Sequence, residues 1–174
     1  MKKLALIQSV FVFLLLCAYS AFALTPQDVD KYIETMKELK PFFDNYEQEF
    51  PDLDRDEDLS SDSVKQTHLE PFSHNQEMEP ITRKHGYASP QEFAGKGSEI
   101  TRALMLIFVN DAIADTSAYK ASLEEQNLPP EMVENMAKAM AEGSQELKSM
   151  LSDVPESDIA IVKPFMDQIE EVLN

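Results

Sequence analysis

The stretch that most constrains the fold is residues 89–109, which reads SPQEFAGKGSEITRALMLIFV. Ser89 and Glu92 have the spacing of a capping box, in which each side chain accepts a backbone N–H at the start of a helix. Residues 103–109 are then all apolar. Because a helix that is apolar on every face must be covered by other elements, we predict a buried central helix over about residues 89–115.

Three other segments repeat apolar residues at intervals of three and four, the period of an amphipathic helix. They cover residues 26–50, 130–151 and 157–173. Short connections and a single apolar core predict an all-α fold, a single-domain antiparallel helical bundle of four to six helices. Pro41 and Pro164 each remove one backbone donor inside a helical pattern, which predicts a kink in the first and last helices.

Glycines and a basic residue mark particular positions along this fold. Gly86 ends a short helical pattern where a left-handed cap is expected. Gly95 and Gly97 lie inside the central helix, where glycine is costly unless another helix crosses closely. For Arg102 we expect a side chain that extends to solvent or to Asp111 or Asp115. A buried arginine that binds an anion is the alternative.

The first 23 residues have the organisation of a secretory signal peptide. Lys2 and Lys3 precede an apolar segment, and the sequence A-F-A ends at Ala23. We predict cleavage near Ala23, a single helical domain over residues 24–174 that does not span the membrane, and a periplasmic or secreted location. Cys17 would be lost with the signal, unless a minority form is lipidated there.

Acidic residues dominate the charge of the chain. It contains 32 aspartates and glutamates against 15 lysines and arginines, a formal net charge of −17. Such a chain is a poor ligand for nucleic acid and favours basic partners or cations. It also lacks a glycine-rich phosphate loop, a G-x-S-x-G elbow and a mature cysteine. We therefore expect no enzyme and no cofactor.

The segment 51–80 is acidic and rich in proline, and we predict that it is irregular with short helical pieces. Four aspartates alternate along it, namely Asp52, Asp54, Asp56 and Asp58. An EF-hand would need glycine where Glu57 lies and glutamate where Ser63 lies, so that template fails. A solvated acidic loop is the expectation, and a weak cation site is the alternative.

Two histidines fall in the same segment. His68 and His74 lie among glutamates, and His74 with Glu77 has the spacing that places two ligands on one face of a helix. A metal site needs more converging ligands than this. We expect both histidines to be exposed, with a metal site as the alternative.

Met132, Met136 and Met140 recur at intervals of four. Three thioethers in one row are a possible Cu(I) site. The same row coincides with the apolar stripe of its helix, so we expect the methionines to pack in the core. A methionine-rich groove that binds a partner is a third interpretation.

Three stretches, TPQDVDKYIETMKEL, KHGYASPQEFAGKGSEITRALM and DIAIVKPFMDQIEEVLN, resemble those of exported, periplasmic all-helical proteins of Gram-negative bacteria. The resemblance implies export and a helical domain, and it implies no particular activity. We expect a periplasmic binding or accessory protein whose partner is another protein or a small apolar ligand. A protein that handles calcium or copper is the alternative.

Overall fold

The computed structural model describes residues 24–50, 58–126 and 128–173, and no β-strand occurs among them. The all-α class is therefore confirmed. In chain order the helices are α1 (Pro26–Glu49), α2 (Ser61–His74), α3 (Met78–Lys84), α4 (Pro90–Ala114), α5 (Thr116–Glu125), α6 (Pro130–Met150), α7 (Glu156–Val162) and α8 (Met166–Leu173). A 3-10 turn, Lys163–Phe165, separates α7 from α8.

Helix α4 is the central element of the fold. It packs against α1, α2, α3, α5, α6 and α7. Phe93, Ile100 and Leu104 lie on it and are buried in the main core. This confirms the predicted buried helix, which ends where Asp115 separates it from α5.

Local capping fixes where the helices begin and end. The Ser89 hydroxyl accepts a hydrogen bond from the Glu92 amide at 3.2 Å. The Glu92 carboxylate accepts from the Ala88 amide at 2.6 Å, one residue earlier than the capping box predicts. Gly86 has a φ of +83° and closes α3 as expected, because glycine reaches that left-handed conformation without strain.

The ring of Phe93 lies at the centre of an aromatic cluster. Its centroid is 5.6 Å from that of Tyr32 on α1, 5.8 Å from Phe72 on α2 and 5.4 Å from Tyr87. Such ring pairs add about 0.5–1.5 kcal/mol each beyond the burial of their apolar area. The cluster therefore joins the first two helices to α4.

The prediction of an irregular segment over residues 51–80 is wrong for residues 61–74. They form α2, which continues through Pro71. Val64, His68 and Pro71 are spaced by four and three and are all buried. Helix α2 packs against α4, and this packing outweighs the helix-breaking tendency of the proline.

The two prolines that suggested kinks differ in their surroundings. Helix α1 continues through Pro41 without interruption. Pro164 lies in the 3-10 turn between α7 and α8, so the last helical segment is interrupted at the proline where a kink was predicted. Beyond this turn, Ile169 and Val172 place α8 in the main core, where it packs against α1.

Of the two glycines on α4, one marks a close contact. A β-carbon built at Gly97 would lie 2.6 Å from Cδ2 of His68 and 3.0 Å from the Tyr32 ring. At Gly95 nothing lies within 4 Å of such an atom. The predicted close approach is confirmed at Gly97 and is wrong at Gly95.

Candidate functional site

The predicted acidic cation site is mostly outside the described residues. Asp52, Asp54 and Asp56 fall there, and only Asp58 can be placed. The Asp58 carboxylate accepts from the Ser60 amide at 2.9 Å and from the Ser60 hydroxyl at 2.8 Å. These bonds hold the pKa of Asp58 below its usual value. Asp58 therefore stabilises the turn that precedes α2.

His68 is buried, so the prediction that it is exposed is wrong. Its Nδ1 lies 2.9 Å from the Val64 carbonyl, and its Nε2 lies 3.1 Å from the Tyr32 hydroxyl. Because a carbonyl can only accept, Nδ1 donates and Nε2 accepts from Tyr32. Burial lowers the pKa of His68 and raises that of Tyr32. Both ring nitrogens are engaged, and neither is open to a metal ion.

His74 is exposed, as predicted, and packs against aromatic rings. The centroid of its ring lies 5.1 Å from that of Tyr46 and 4.7 Å from that of Phe50. Helix α2 ends at His74, so Glu77 does not share a helical face with it. Among residues 24–50, 58–126 and 128–173, no group of three or more histidines, cysteines, aspartates or glutamates could hold a metal ion.

Arg102 is buried, and its partners differ from those predicted. Its guanidinium donates to the Leu59 carbonyl at 2.8 Å and to Asp153 Oδ2 at 3.1 Å. Asp111 and Asp115 follow Arg102 on the same helix and are not its partners in these bonds. The arginine instead joins α4 to the segment before α2 and to the segment after α6. The bonds lower the pKa of Asp153.

The methionine row on α6 gives the clearest candidate site. Met132 is 48% exposed and Met136 is 39% exposed, so the prediction that they pack in the core is wrong for both. The helix instead buries Val133 and Ala137, each one residue later. The apolar side of α6 is therefore wider than the neighbouring helices cover.

A continuous apolar face follows from this register. It consists of six residues at intervals of three and four, which we call the methionine stripe: Met132, Met136, Ala139, Gly143, Leu147 and Met150. Leu147 is 41% exposed and Met150 is 36% exposed. Bulky side chains thus lie at both ends of the stripe, and small exposed residues lie at its centre.

Acidic residues run along the outer edge of the methionine stripe. Glu131, Glu142 and Glu146 are exposed, and the helical period places them on the side of the stripe that faces away from Val133 and Ala137. A shallow groove lies between this edge and the first half of the stripe. It is lined by Pro129, Glu131, Met132, Asn135, Met136 and Ala139.

The packing of α6 explains why the stripe faces outward. Val133 on α6 and Leu123 on α5 are both buried, and the two helices pack together. An exposed ion pair between Lys120 and Glu134, 2.5 Å apart, also links them. The same helix also packs against α4. These contacts cover the row of Val133 and Ala137 and leave the adjacent methionine stripe facing solvent.

Sequence and structure comparisons find no relative of this chain. No family model, no curated protein and no solved structure matches it. The resemblance to exported bacterial helical proteins therefore stays a prediction. Within the part of the chain that the structure describes, no helix has the length and apolar character needed to cross a membrane.

Proposed function

We propose that the protein is a periplasmic binding or accessory protein without catalytic activity, folded as one antiparallel helical bundle. It binds a basic amphipathic helix of another protein through the methionine stripe. The observation that carries this proposal is the exposure of Met132, Met136, Leu147 and Met150 on one face of α6.

Exposed apolar side chains in register support a binding role. Single apolar residues are common on protein surfaces, but a contiguous row is typical of an interaction site. Methionine suits such a site because its unbranched, polarisable side chain adapts to different surfaces. The stripe runs along a helix of 21 residues, which gives it the length of several helical turns.

The shape of the stripe favours one bulky residue of the partner at its centre. A β-carbon at Gly143 would meet no atom of the described residues within 4 Å, and Ala139 is exposed one turn earlier. These two positions leave a notch between the bulky pairs at either end. A helix that places a tryptophan, phenylalanine or leucine there would fill the notch, in the manner of other helix-in-groove complexes.

The acidic edge of the methionine stripe indicates which polar residues the partner helix carries. Glu131 and Glu146 border the stripe together with Glu142, which pairs with Lys138 at 3.7 Å, and the chain has a net charge of −17. Lysines or arginines beside the apolar anchors would complement this edge and speed association at low salt. A second copy of the chain would instead place one acidic edge against another, which is unfavourable.

A pair of synthetic peptides tests the proposal. One carries leucine and tryptophan on one helical face and lysine on the other, and its control has the same composition in scrambled order. We expect the amphipathic peptide to bind with a Kd of about 1 µM, measured by fluorescence anisotropy. The affinity should fall at least ~tenfold when Met132 and Met136 are both changed to serine.

Two controls make the result specific. Gln145→Ser changes an exposed residue of α6 outside the stripe and should leave binding unchanged, and circular dichroism should show that every variant is folded. Equal binding of the scrambled peptide, or no effect of the double serine variant, contradicts the proposal. Sedimentation that shows self-association lost in the same variant would make a second copy the occupant.

A copper-handling protein is the second candidate, and the exposure of the Met132 and Met136 thioethers favours it. Cu(I) prefers such soft ligands. Changing both residues to leucine distinguishes the candidates, because leucine keeps the apolar face and removes both sulfur atoms. Peptide binding should survive this change, whereas calorimetric binding of Cu(I) should be lost. Binding of Cu(I) or calcium no tighter than millimolar removes the metal-handling candidate.

A further inference from the structure

A small pocket lies on a different part of the molecule, between α1, α2 and the end of α8. Its volume is about 130 Å³, close to the ~150 Å³ of an apolar cavity that accommodates benzene. The apolar part of its lining comprises Met36, Phe43, Tyr46, Pro71 and Leu173. The pocket therefore has the size and walls for one aromatic ring.

The walls favour an aromatic ring over an aliphatic chain. Phe43 and Tyr46 present aromatic side chains from successive turns of α1, and Met36 contributes a thioether. Aromatic rings pair favourably with each other and with sulfur. His68 also lines the pocket, but both of its ring nitrogens are engaged by Val64 and Tyr32. A ligand at this position would therefore contact a neutral histidine that has no free donor.

Charge at the pocket selects among aromatic compounds. The carboxylate residues in the lining are Glu47 and Glu70, and the residues that the structure describes there include no lysine or arginine. A cationic group attached to the ring would be attracted by the Glu70 carboxylate, and an anionic group would be repelled by it. Glu70 lies on α2, so this side of the pocket supplies a carboxylate that an ammonium group can approach.

We infer that this pocket binds a small aromatic amine, with a single ring between α1 and α2 and the ammonium group beside Glu70. The inference is independent of the methionine stripe, which lies on α6. It assigns the protein a small-molecule ligand in addition to the protein partner proposed above.

Three probes of similar size test the inference on the purified protein. Benzylamine is cationic, benzyl alcohol is neutral and benzoate is anionic at pH 7. We expect benzylamine to bind saturably with a Kd of about 1 mM or tighter, measured by ligand-observed NMR. Benzyl alcohol should bind more weakly, and benzoate should not bind.

Two variants locate the binding site. Thr67 lines the pocket and is exposed, so Thr67→Leu should fill the pocket and weaken benzylamine binding at least ~tenfold. Gln66→Leu places the same side chain at an exposed position of α2 outside the pocket and should have no effect. Glu70→Gln keeps the volume and removes a charge, so it should weaken benzylamine binding and leave benzyl alcohol binding unchanged.

The results can overturn the inference in separate ways. Absence of saturable benzylamine binding contradicts it, and so does benzoate binding as tight as that of benzylamine. If Thr67→Leu does not fold, the binding of benzylamine and of benzyl alcohol to Glu70→Gln still decides the question. If Glu70→Gln weakens the binding of benzylamine and benzyl alcohol equally, or weakens neither, the proposed position of the ammonium group is ruled out.

Discussion

Gly97 on α4 lies directly against the imidazole ring of His68 on α2, and a β-carbon at Gly97 would come within 2.6 Å of Cδ2 of that ring. The ring cannot move away easily, because its two nitrogens are held by Val64 and Tyr32. The absence of a side chain at one residue thus determines how closely two helices pack.

Replacement of Gly97 by alanine should destabilise the protein. The added methyl group forces the His68 ring or α2 to move, and such overpacking costs about 1–3 kcal/mol. Gly95→Ala is the matched control two residues earlier, where the new atom meets nothing. It should stabilise the protein by up to about 1 kcal/mol through helix propensity. Urea unfolding of both variants measures the difference, and changes of the same sign would refute the close contact.

His68 should make the stability depend on pH in a defined window. In the unfolded chain its ring takes up a proton below about pH 6.5, whereas burial keeps the folded ring neutral further into acid. The free energy of unfolding should therefore fall as the pH drops from 6.5 to 5, by at most ~1.4 kcal/mol per pH unit. Above pH 6.5 this group should contribute no slope.

Two variants test whether His68 causes this dependence of stability on pH. Urea unfolding at several pH values should show a smaller slope for His68→Gln, while exposed His74→Gln should keep the slope of the wild type. The carboxylates of Glu38 and Asp153, whose pKa values are lowered by their basic partners, titrate in more acidic solution and do not enter this window. An unchanged slope in His68→Gln would mean that another group takes up the proton.

Helix α4 should tolerate a charge only on its exposed side. Leu104 is buried in the main core, and Phe108, four residues later, is 42% exposed. Leu104→Asp should unfold the domain, since a carboxylate without a partner is far too costly in an apolar core. Phe108→Asp should remain folded. Circular dichroism and thermal melting compare the two, and a folded Leu104→Asp variant would show that α4 is not central.

Replacement of Arg102 by alanine should lower the free energy of unfolding more than replacement of its acidic partner Asp153. The arginine side chain is buried, but that of Asp153 is 66% exposed. Arg102→Ala removes the guanidinium from the Leu59 carbonyl and from Asp153, and we expect it to lower stability by about 1.5–3 kcal/mol, the contribution of hydrogen bonds to a charged group. In Asp153→Ala, water can replace the lost carboxylate, so the change should be smaller. Denaturant unfolding ranks the two, and the reverse order would contradict the described contacts.

Features that depend on neighbouring residues could be predicted from the sequence. The start of α4 at Ser89 and the left-handed cap at Gly86 depend on side chains and backbone freedom within a few residues. The Glu92 side chain also accepts a backbone N–H at this helix start, although the donor is Ala88, one residue before the expected Ser89. Helical periodicity was also sufficient to identify α1, α4 and α6.

Features that depend on distant contacts could not be predicted. Arg102 pairs with Asp153, which is 51 residues away along the chain, and nothing in the sequence distinguishes this acid from Asp111 or Asp115. His68 is buried because α2 packs on α4, although its segment is acidic and contains proline. The spacing of Val64, His68 and Pro71 was a signal of this helix, but the composition obscured it.

The methionine stripe shows a different limit of sequence prediction. Periodicity identifies the apolar side of a helix, but it does not tell how much of that side the neighbouring helices cover. On α6 the rows of Val133 and Met132 are adjacent, and only the first is buried. The small-molecule pocket was likewise invisible in the sequence, because its lining comes from α1, α2 and α8.

The contact between α1 and α8 has a consequence for the order of folding. Ile169 and Val172 from the last helix share one core with Leu24 and Val29 from the start of the described chain. That core cannot close until Ile169 and Val172 have left the ribosome. The main core must therefore form after α8 has been synthesised rather than helix by helix as the chain emerges, so the N-terminal half of α1 lacks part of its native packing until then.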